Sequence, residues 1–215
     1  MAITLHAMSG SPFTWKVHLA LEHKQLPHEV RWLSVEGGDL RAAQFAVLNP
    51  RKQAPVLTDG SVSVYESEAI MRYLEAAYPA PTLFPGDLAA KALAFRLVAE
   101  FDHYFASSME DLVLEILFKP DPAQRSKDKI ESATQKLRGE LEHFERELRG
   151  DFLAGALSAA DFSLYPGVML ALRIEKRLPS LDISGMLGPR LSAWMKRIEA
   201  LPYYDRTYPP HWRAK

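Results

Sequence analysis

The chain has 215 residues, 47% of them hydrophobic and 25% charged, and its formal net charge is −1. That is the make-up of a globular protein of one or two domains with a packed core, and it offers no basic field to follow a phosphate backbone, which argues against nucleic acid as a partner. It contains no cysteine, so disulfides, cysteine zinc sites and a protein-borne thiolate are excluded, and any thiol chemistry must use a thiol brought by a ligand.

The opening stretch MAITLHAMSGSPFTW lacks a cationic segment followed by an apolar run. No stretch reaches about 18 consecutive apolar residues. A cytoplasmic protein without a membrane partner is expected. Ile3–His6 is β-like, and the turn-prone Met8-Ser9-Gly10-Ser11-Pro12 leads into a helical pattern from Phe13. That pattern stops around His23–Pro27, and Glu29–Trp32 can form a second strand, giving a parallel βαβ unit. Gly37-Gly38 and Asn49-Pro50 bracket a mixed stretch. Pro55–Thr58, Asp59-Gly60 and Ser61–Val64 read as a hairpin with Asp-Gly as its turn. Glu66–Ala77 is helical, with Ile70, Met71 and Leu74 as its apolar row.

Composition then shifts. Residues 79–86 fall in the proline-rich YPAPTLFPG and read as a linker, and nearly everything beyond is helical. Apolar residues from Ala92 to Ile116 step at threes and fours as one long amphipathic helix. Ser126–Arg149, Leu157–Arg173 and Leu187–Leu201 are further helices, and Pro202–Lys215 is an irregular tail. The organisation expected is therefore residues 1–78 as an α/β domain, 79–86 as linker and 87–215 as an all-helical domain.

Three local features bear on chemistry. Ser11, at the junction of first strand and first helix, is either an N-cap or a hydroxyl at the positive end of a helix dipole, with Ser9 and Thr14 nearby. In Asn49-Pro50-Arg51-Lys52-Gln53-Ala54-Pro55, a proline just before a strand can hold a tight turn, in cis, that aims the preceding backbone at a ligand. In Tyr65-Glu66-Ser67-Glu68, a helix start offers Ser67 and free N–H groups to a carboxylate, while Glu66 can hold an ammonium. Together the last pair suits an α-amino acid headgroup.

In order and spacing, SPFTWKV, NPRKQAPVL and ESEAIMRYL resemble the cytosolic glutathione S-transferases, most closely the serine-type phi and zeta classes. The similarity continues through DLVLEILFKP and LSAADF. It implies an α/β thioredoxin-like N-terminal domain followed by an all-α C-terminal domain, and a homodimer that binds glutathione and a small hydrophobic electrophile. By the resemblance, Ser11 donates a hydrogen bond to the glutathione sulfur. Ala54, held by Pro55, pairs with the cysteinyl part, Glu66 and Ser67 hold the γ-glutamyl end, and Gln53 assists. Lys52 or Arg41 meets the glycine carboxylate. Phe13, Phe105, Leu112 and Ile116 are candidates for the electrophile pocket, each also a candidate for plain core. Asp102 is either a structural ion-pair member or an acid reaching the glutathione amine. Leu40 before Arg41, and Lys52 itself, depart from the phi pattern.

Ser158 and Asp161 form a capping box by spacing alone, with Leu157 packing on Phe162 across it, a stabilising device rather than a site. Competing activities lack their signatures. There is no Gly-x-Ser-x-Gly elbow for a hydrolase, no His-Glu-x-x-His spacing for a metal hydrolase and no glycine-rich phosphate loop, so no metal is expected. Two alternatives stand: a zeta-like isomerase or dehalogenase using glutathione differently, and a non-catalytic scaffold that keeps the fold.

Overall fold

The computed structural model describes residues 3–148 and 150–213. Arg149, the expected end of one helix, and Ala214-Lys215 of the tail lie outside these residues. The chain divides into two compact units, one running to Phe84 and taken up again from Leu201, the other Pro85–Ala200. The tail thus groups with the α/β unit, where the sequence reading had placed it with the helices.

The first unit is the expected thioredoxin-like fold. Strands β1 (Ile3–Ala7), β2 (His28–Trp32), β3 (Val56–Asp59) and β4 (Val62–Tyr65) form one sheet in the order β2-β1-β3-β4. β1 runs parallel to β2 and antiparallel to β3, and β3 pairs antiparallel with β4. The crossover between β1 and β2 is α1 (Pro12–His23), which is buried from Thr14 to Leu21. Its apolar residues Val17, Leu19, Ala20 and Leu21 are fully covered, as expected for a helix laid against a sheet.

A short helix α2 (Ala43–Leu48) fills part of the stretch left unassigned between the two glycines and Asn49. Only its Phe45 is buried, so the apolar pattern was too brief to read. The β3–β4 hairpin is present but shifted by one residue: Asp59 pairs with Val62, leaving Gly60-Ser61 as the loop. Gly60 has φ 59°, and a two-residue hairpin loop needs such a left-handed residue at its first position. Helix α3 (Ser67–Ala77) follows directly, with Ile70, Met71 and Leu74 buried as expected.

Several polar groups tie the end of this unit together. The buried Lys24 ammonium donates to Glu75 at 2.8 Å and to the Tyr78 and Pro81 carbonyls at 2.6 and 2.9 Å. In the tail, the helical turns Tyr204–Thr207 and Pro210–Arg213 replace the expected irregular chain. They pack through Trp15, whose indole N–H donates to Thr207 Oγ1 at 3.0 Å and whose ring meets Trp212 edge-on at 5.6 Å.

In the second unit, α4 (Leu88–Glu100) is capped by Asp87. The single long helix expected here is interrupted. Phe101–Phe105 and Val113–Leu117 are wider π-type segments, separated by the short helical pieces Ala106–Ser108 and Glu110–Leu112. The buried residues Phe101, Phe105 and Met109 are spaced in fours and so share one side of this helical path.

Helices Lys127–Glu147, Ala159–Glu175 and Pro189–Glu199 complete the unit. Gly167 is a place of close approach, because a Cβ there would stand 2.5 Å from the Phe101 ring and 2.9 Å from that of Phe105. The predicted capping box is present at Ser158 and Asp161. Asp161 does more than cap. Its carboxylate accepts from the Ser158 N–H and hydroxyl at 2.9 and 3.0 Å, and from the Leu153 N–H and the Trp194 indole N–H at 2.9 Å each.

Candidate active site

A cleft of about 400 Å³ opens in the first unit, where the loop after β1, the turn before β3 and the start of α3 meet. Its lining includes Ser11, Phe13, Lys52, Gln53, Ala54, Pro55, Glu66 and Ser67. Three sequence motifs separated by dozens of residues are therefore assembled by the sheet into one wall-to-wall site.

Ser11 is the N-cap of α1, and its Oγ accepts the Thr14 N–H at 3.4 Å. The capping reading of this serine therefore holds, and it does not exhaust the hydroxyl. Capping uses an oxygen lone pair, while the hydroxyl proton stays available for donation. The other two hydroxyls have their own partners and do not line the cleft. Ser9 Oγ lies 2.6 Å from His211 Nδ1, and Thr14 Oγ1 accepts the Met8 N–H at 3.2 Å. Of the three, Ser11 alone lines the cleft. Gly10 shapes the loop that presents it: its φ is 81°, and a Cβ there would meet His211 at 2.6 Å and Trp212 at 2.9 Å.

The second wall is built around Asn49, a buried residue for which the sequence alone indicates no binding role. Its amide donates to the Gln53 carbonyl at 2.7 Å, and its Oδ1 accepts the Arg51 N–H at 2.9 Å. The Lys52 N–H returns to the Asn49 carbonyl at 2.9 Å. Lys52 takes a left-handed φ of 56°, and the Ala54–Pro55 peptide is cis. An Asx turn at Asn-Pro was the available signal for this organiser.

At the third wall, Glu66 rather than Ser67 occupies the N-cap of α3, with φ 68°. A non-glycine residue held there is locally strained, and such strain gathers at ligand-binding positions. Among the described residues its side chain makes no capping bond, and it lines the cleft. Ser67, 6% exposed, begins the helix at the floor of the cleft, beside amide N–H groups that have no intrahelical acceptor.

The remaining candidates fall elsewhere. Arg41 is exposed on the turn Asp39–Arg41, whereas its neighbour Leu40 lines the cleft. Phe105, Leu112 and Ile116 are buried in the core of the helical unit. Phe105 stacks on Phe101 at 5.7 Å and meets Phe144 edge-on at 6.0 Å, which makes it a core residue. Asp102 is half-buried and His103 exposed on the same helical path. No helix among the described residues is long and apolar enough to cross a membrane.

Comparison with known proteins agrees in both units. The family model described as the glutathione S-transferase N-terminal domain matches residues 5–82, and that of the glutathione S-transferase C-terminal domain matches residues 123–197. The chain is 31% identical to glutathione S-transferase A of Pleuronectes platessa, over 98% of this chain and 92% of that one. It is 33% identical to a probable maleylacetoacetate isomerase of Vibrio cholerae, over 97% and 96%. Among solved structures, the theta-class glutathione S-transferase of Xanthomonas axonopodis pv. citri, with glutathione bound, is similar at TM-score 0.81 and 26% identity, covering 96% of each chain.

Proposed function

We propose a serine-based mechanism for this chain, which belongs to the glutathione S-transferase family and is a glutathione transferase. Glutathione lies in the cleft, and the Ser11 hydroxyl donates a hydrogen bond to its sulfur, holding it as thiolate for attack on an electrophile. The observation that carries this reading is the convergence of Ser11 with Lys52, Ala54, Glu66 and Ser67 on one cleft.

The energetics are adequate. A free thiol has a pKa of about 8.5, so little thiolate is present at neutral pH. Lowering it by about two units requires about 2.7 kcal/mol. One hydrogen bond to a charged group supplies about 1.5–3 kcal/mol, and the N-terminal dipole of α1 adds to it. Ser11 acts throughout as donor, never as nucleophile, and the conjugation needs no metal.

The rest of the tripeptide is assigned to the walls. Ser67 and the free N–H groups of α3 receive the γ-glutamyl carboxylate, and Glu66 receives its ammonium. The Ala54 backbone pairs with the cysteinyl unit. Lys52 is favoured over Arg41 for the glycine carboxylate, because Lys52 lines the cleft and Arg41 does not, and Gln53 assists. Phe13 begins the apolar side where a hydrophobic electrophile approaches. We assign the serine-type, phi- or zeta-like class, a detoxifying role, a cytoplasmic location and a homodimer on the same footing.

A second reading has a specific observation in its favour. The similarity to a probable maleylacetoacetate isomerase at 33% identity fits a glutathione-dependent isomerase, in which the thiolate adds to a substrate double bond and leaves again after rotation. Both readings need the Ser11-held thiolate and differ only in the electrophile. Retention on immobilised glutathione, followed by turnover of a panel of aryl halides, epoxides and cis-enones, tests them together. Retention with turnover supports the transferase or isomerase reading according to the electrophile used. A chain that is not retained and turns nothing over is the scaffold instead.

A further inference from the structure

A second cluster of the first unit lies outside the cleft. His18 and Glu22 are one helical turn apart on α1, and His28 opens β2. Each offers one ligand atom, and these atoms lie within 4.8 Å of one another. The three line a groove of about 700 Å³ whose walls also include Trp32 and Arg206. We propose that His18, Glu22 and His28 form a binding site for a divalent transition cation of the Zn²⁺ type.

The donor set selects the class of ion. Two imidazoles and one carboxylate suit Zn²⁺ and its first-row neighbours, whereas Ca²⁺ and Mg²⁺ seek oxygen ligands. Three protein ligands also leave a fourth position for water or another group from the groove. The His-Glu-x-x-His spacing sought in the sequence is absent because one ligand comes from a strand, which only the βαβ fold brings beside the helix.

Two of the three ligands, His28 and Glu22, are braced in the manner that metal sites use. His28 Nδ1 lies 2.7 Å from the Leu26 carbonyl. That contact places the ring proton on Nδ1 and leaves the Nε2 lone pair free, the backbone brace typical of a metal-bound imidazole. Nε2 in turn faces Glu22 Oε1 at 3.8 Å. The other carboxylate oxygen, Oε2, is held by Arg206 through Nε at 2.8 Å and Nη2 at 2.6 Å. Arg206 therefore orients the carboxylate and leaves Oε1 for the ion.

His18 supplies the independent observation. Its side chain is buried, 5% exposed, and among the described residues its Nδ1 has no hydrogen-bond partner. A buried ring nitrogen left unpaired is costly, and a cation is one partner that the neighbourhood is built to supply. Tetrahedral ligands about 2.0–2.2 Å from Zn²⁺ stand roughly 3.3–3.6 Å apart, so the His28–Glu22 pair needs to close by only a few tenths of an ångström.

The test uses the full-length chain, free of any histidine tag, stripped with chelator and dialysed against Zn²⁺. Wild type is expected to retain one Zn²⁺ per chain, and Co²⁺ in its place gives the intense visible bands of a four-coordinate ion. His28→Ala, at a half-buried position with circular dichroism to verify folding, is expected to bind at least about tenfold more weakly. His143→Ala, in the helical unit, binds as wild type does. No retained Zn²⁺ in the wild type, or equal retention by His28→Ala, overturns the assignment. So do the weak bands of a six-coordinate surface ion.

Discussion

Ser11 and Thr14 are joined by one hydrogen bond in which the hydroxyl is the acceptor: the Thr14 N–H points to Ser11 Oγ at 3.4 Å. The bond is long and uses only a lone pair, so the serine keeps its proton to donate in a hydrogen bond to a bound thiolate. Replacing Ser11 by alanine is therefore expected to separate stability from catalysis. Loss of the cap lowers unfolding free energy by about 0.5–1 kcal/mol, while kcat/KM falls about 10–100-fold, the equivalent of a hydrogen bond to a charged group. Denaturant unfolding and steady-state kinetics on the same preparation read both.

Ser9→Ala and Thr14→Ala serve as the matched controls. Their hydroxyls face His211 and the Met8 amide, so each variant is expected to keep kcat/KM within about threefold while losing some stability. A large activity loss in either would move the donor role away from Ser11.

Glu66→Ala and Ser67→Ala are expected to weaken glutathione binding about tenfold each, near 1.4 kcal/mol, with the larger effect on KM for glutathione. Arg41→Ala, whose side chain is exposed away from the lining, changes it little. Isothermal titration with glutathione distinguishes these. Equal losses at Arg41 and Glu66 would contradict the placement of the glutamyl end on α3.

Much of this was readable beforehand because the features are local. The Ser-Pro helix start, the Ala54-Pro55 turn and the Ser158–Asp161 box each depend on residues a few positions apart, and the βαβ unit on consecutive elements with distinct periodicities. What escaped depends on packing. The tail joined the first unit through Trp15 and Thr207, and the helix after α4 widened at Phe101 and Phe105. Asn49 was visible as Asn-Pro, but its grip on the Gln53 carbonyl needed the folded loop. Arg41 and Leu40 exchanged places relative to the cleft because a one-residue turn in a short 3₁₀ segment decides which side chain faces in. Glu66 took the cap position with a left-handed backbone, which no propensity would assign to glutamate.

Asp161 tests the helical unit alone. Its carboxylate satisfies four donors with no exposure to solvent. Asp161→Ala leaves the Trp194 and Leu153 N–H groups unpaired, and a loss of about 2–4 kcal/mol is expected. The folded fraction keeps its KM for glutathione. A Tm within a degree or two of wild type would refute this.

Glu115 gives the pH dependence. Lys119 donates to both its oxygens at 2.9 and 2.7 Å, the Ser126 N–H donates at 2.8 Å, and these hold its carboxyl below the usual range against the opposing pull of burial. A carboxyl lowered by folding adds stability above its unfolded pKa and loses it as pH falls through the folded one. The stability gap between wild type and Glu115→Gln is therefore widest at neutral pH and narrows in acid below about pH 4.5. Urea midpoints measured across that window read the trend, and a gap that widens in acid would reverse the assigned sign.

The most direct measurement is the ultraviolet titration of the thiol of bound glutathione in wild type and Ser11→Ala. In the wild type the thiolate is expected to form about two units below the free-thiol value of about 8.5. In Ser11→Ala the pKa rises by about 1–2 units, with glutathione affinity nearly unchanged. A Ser11→Ala complex that titrates with the wild-type pKa would contradict the role assigned to this serine.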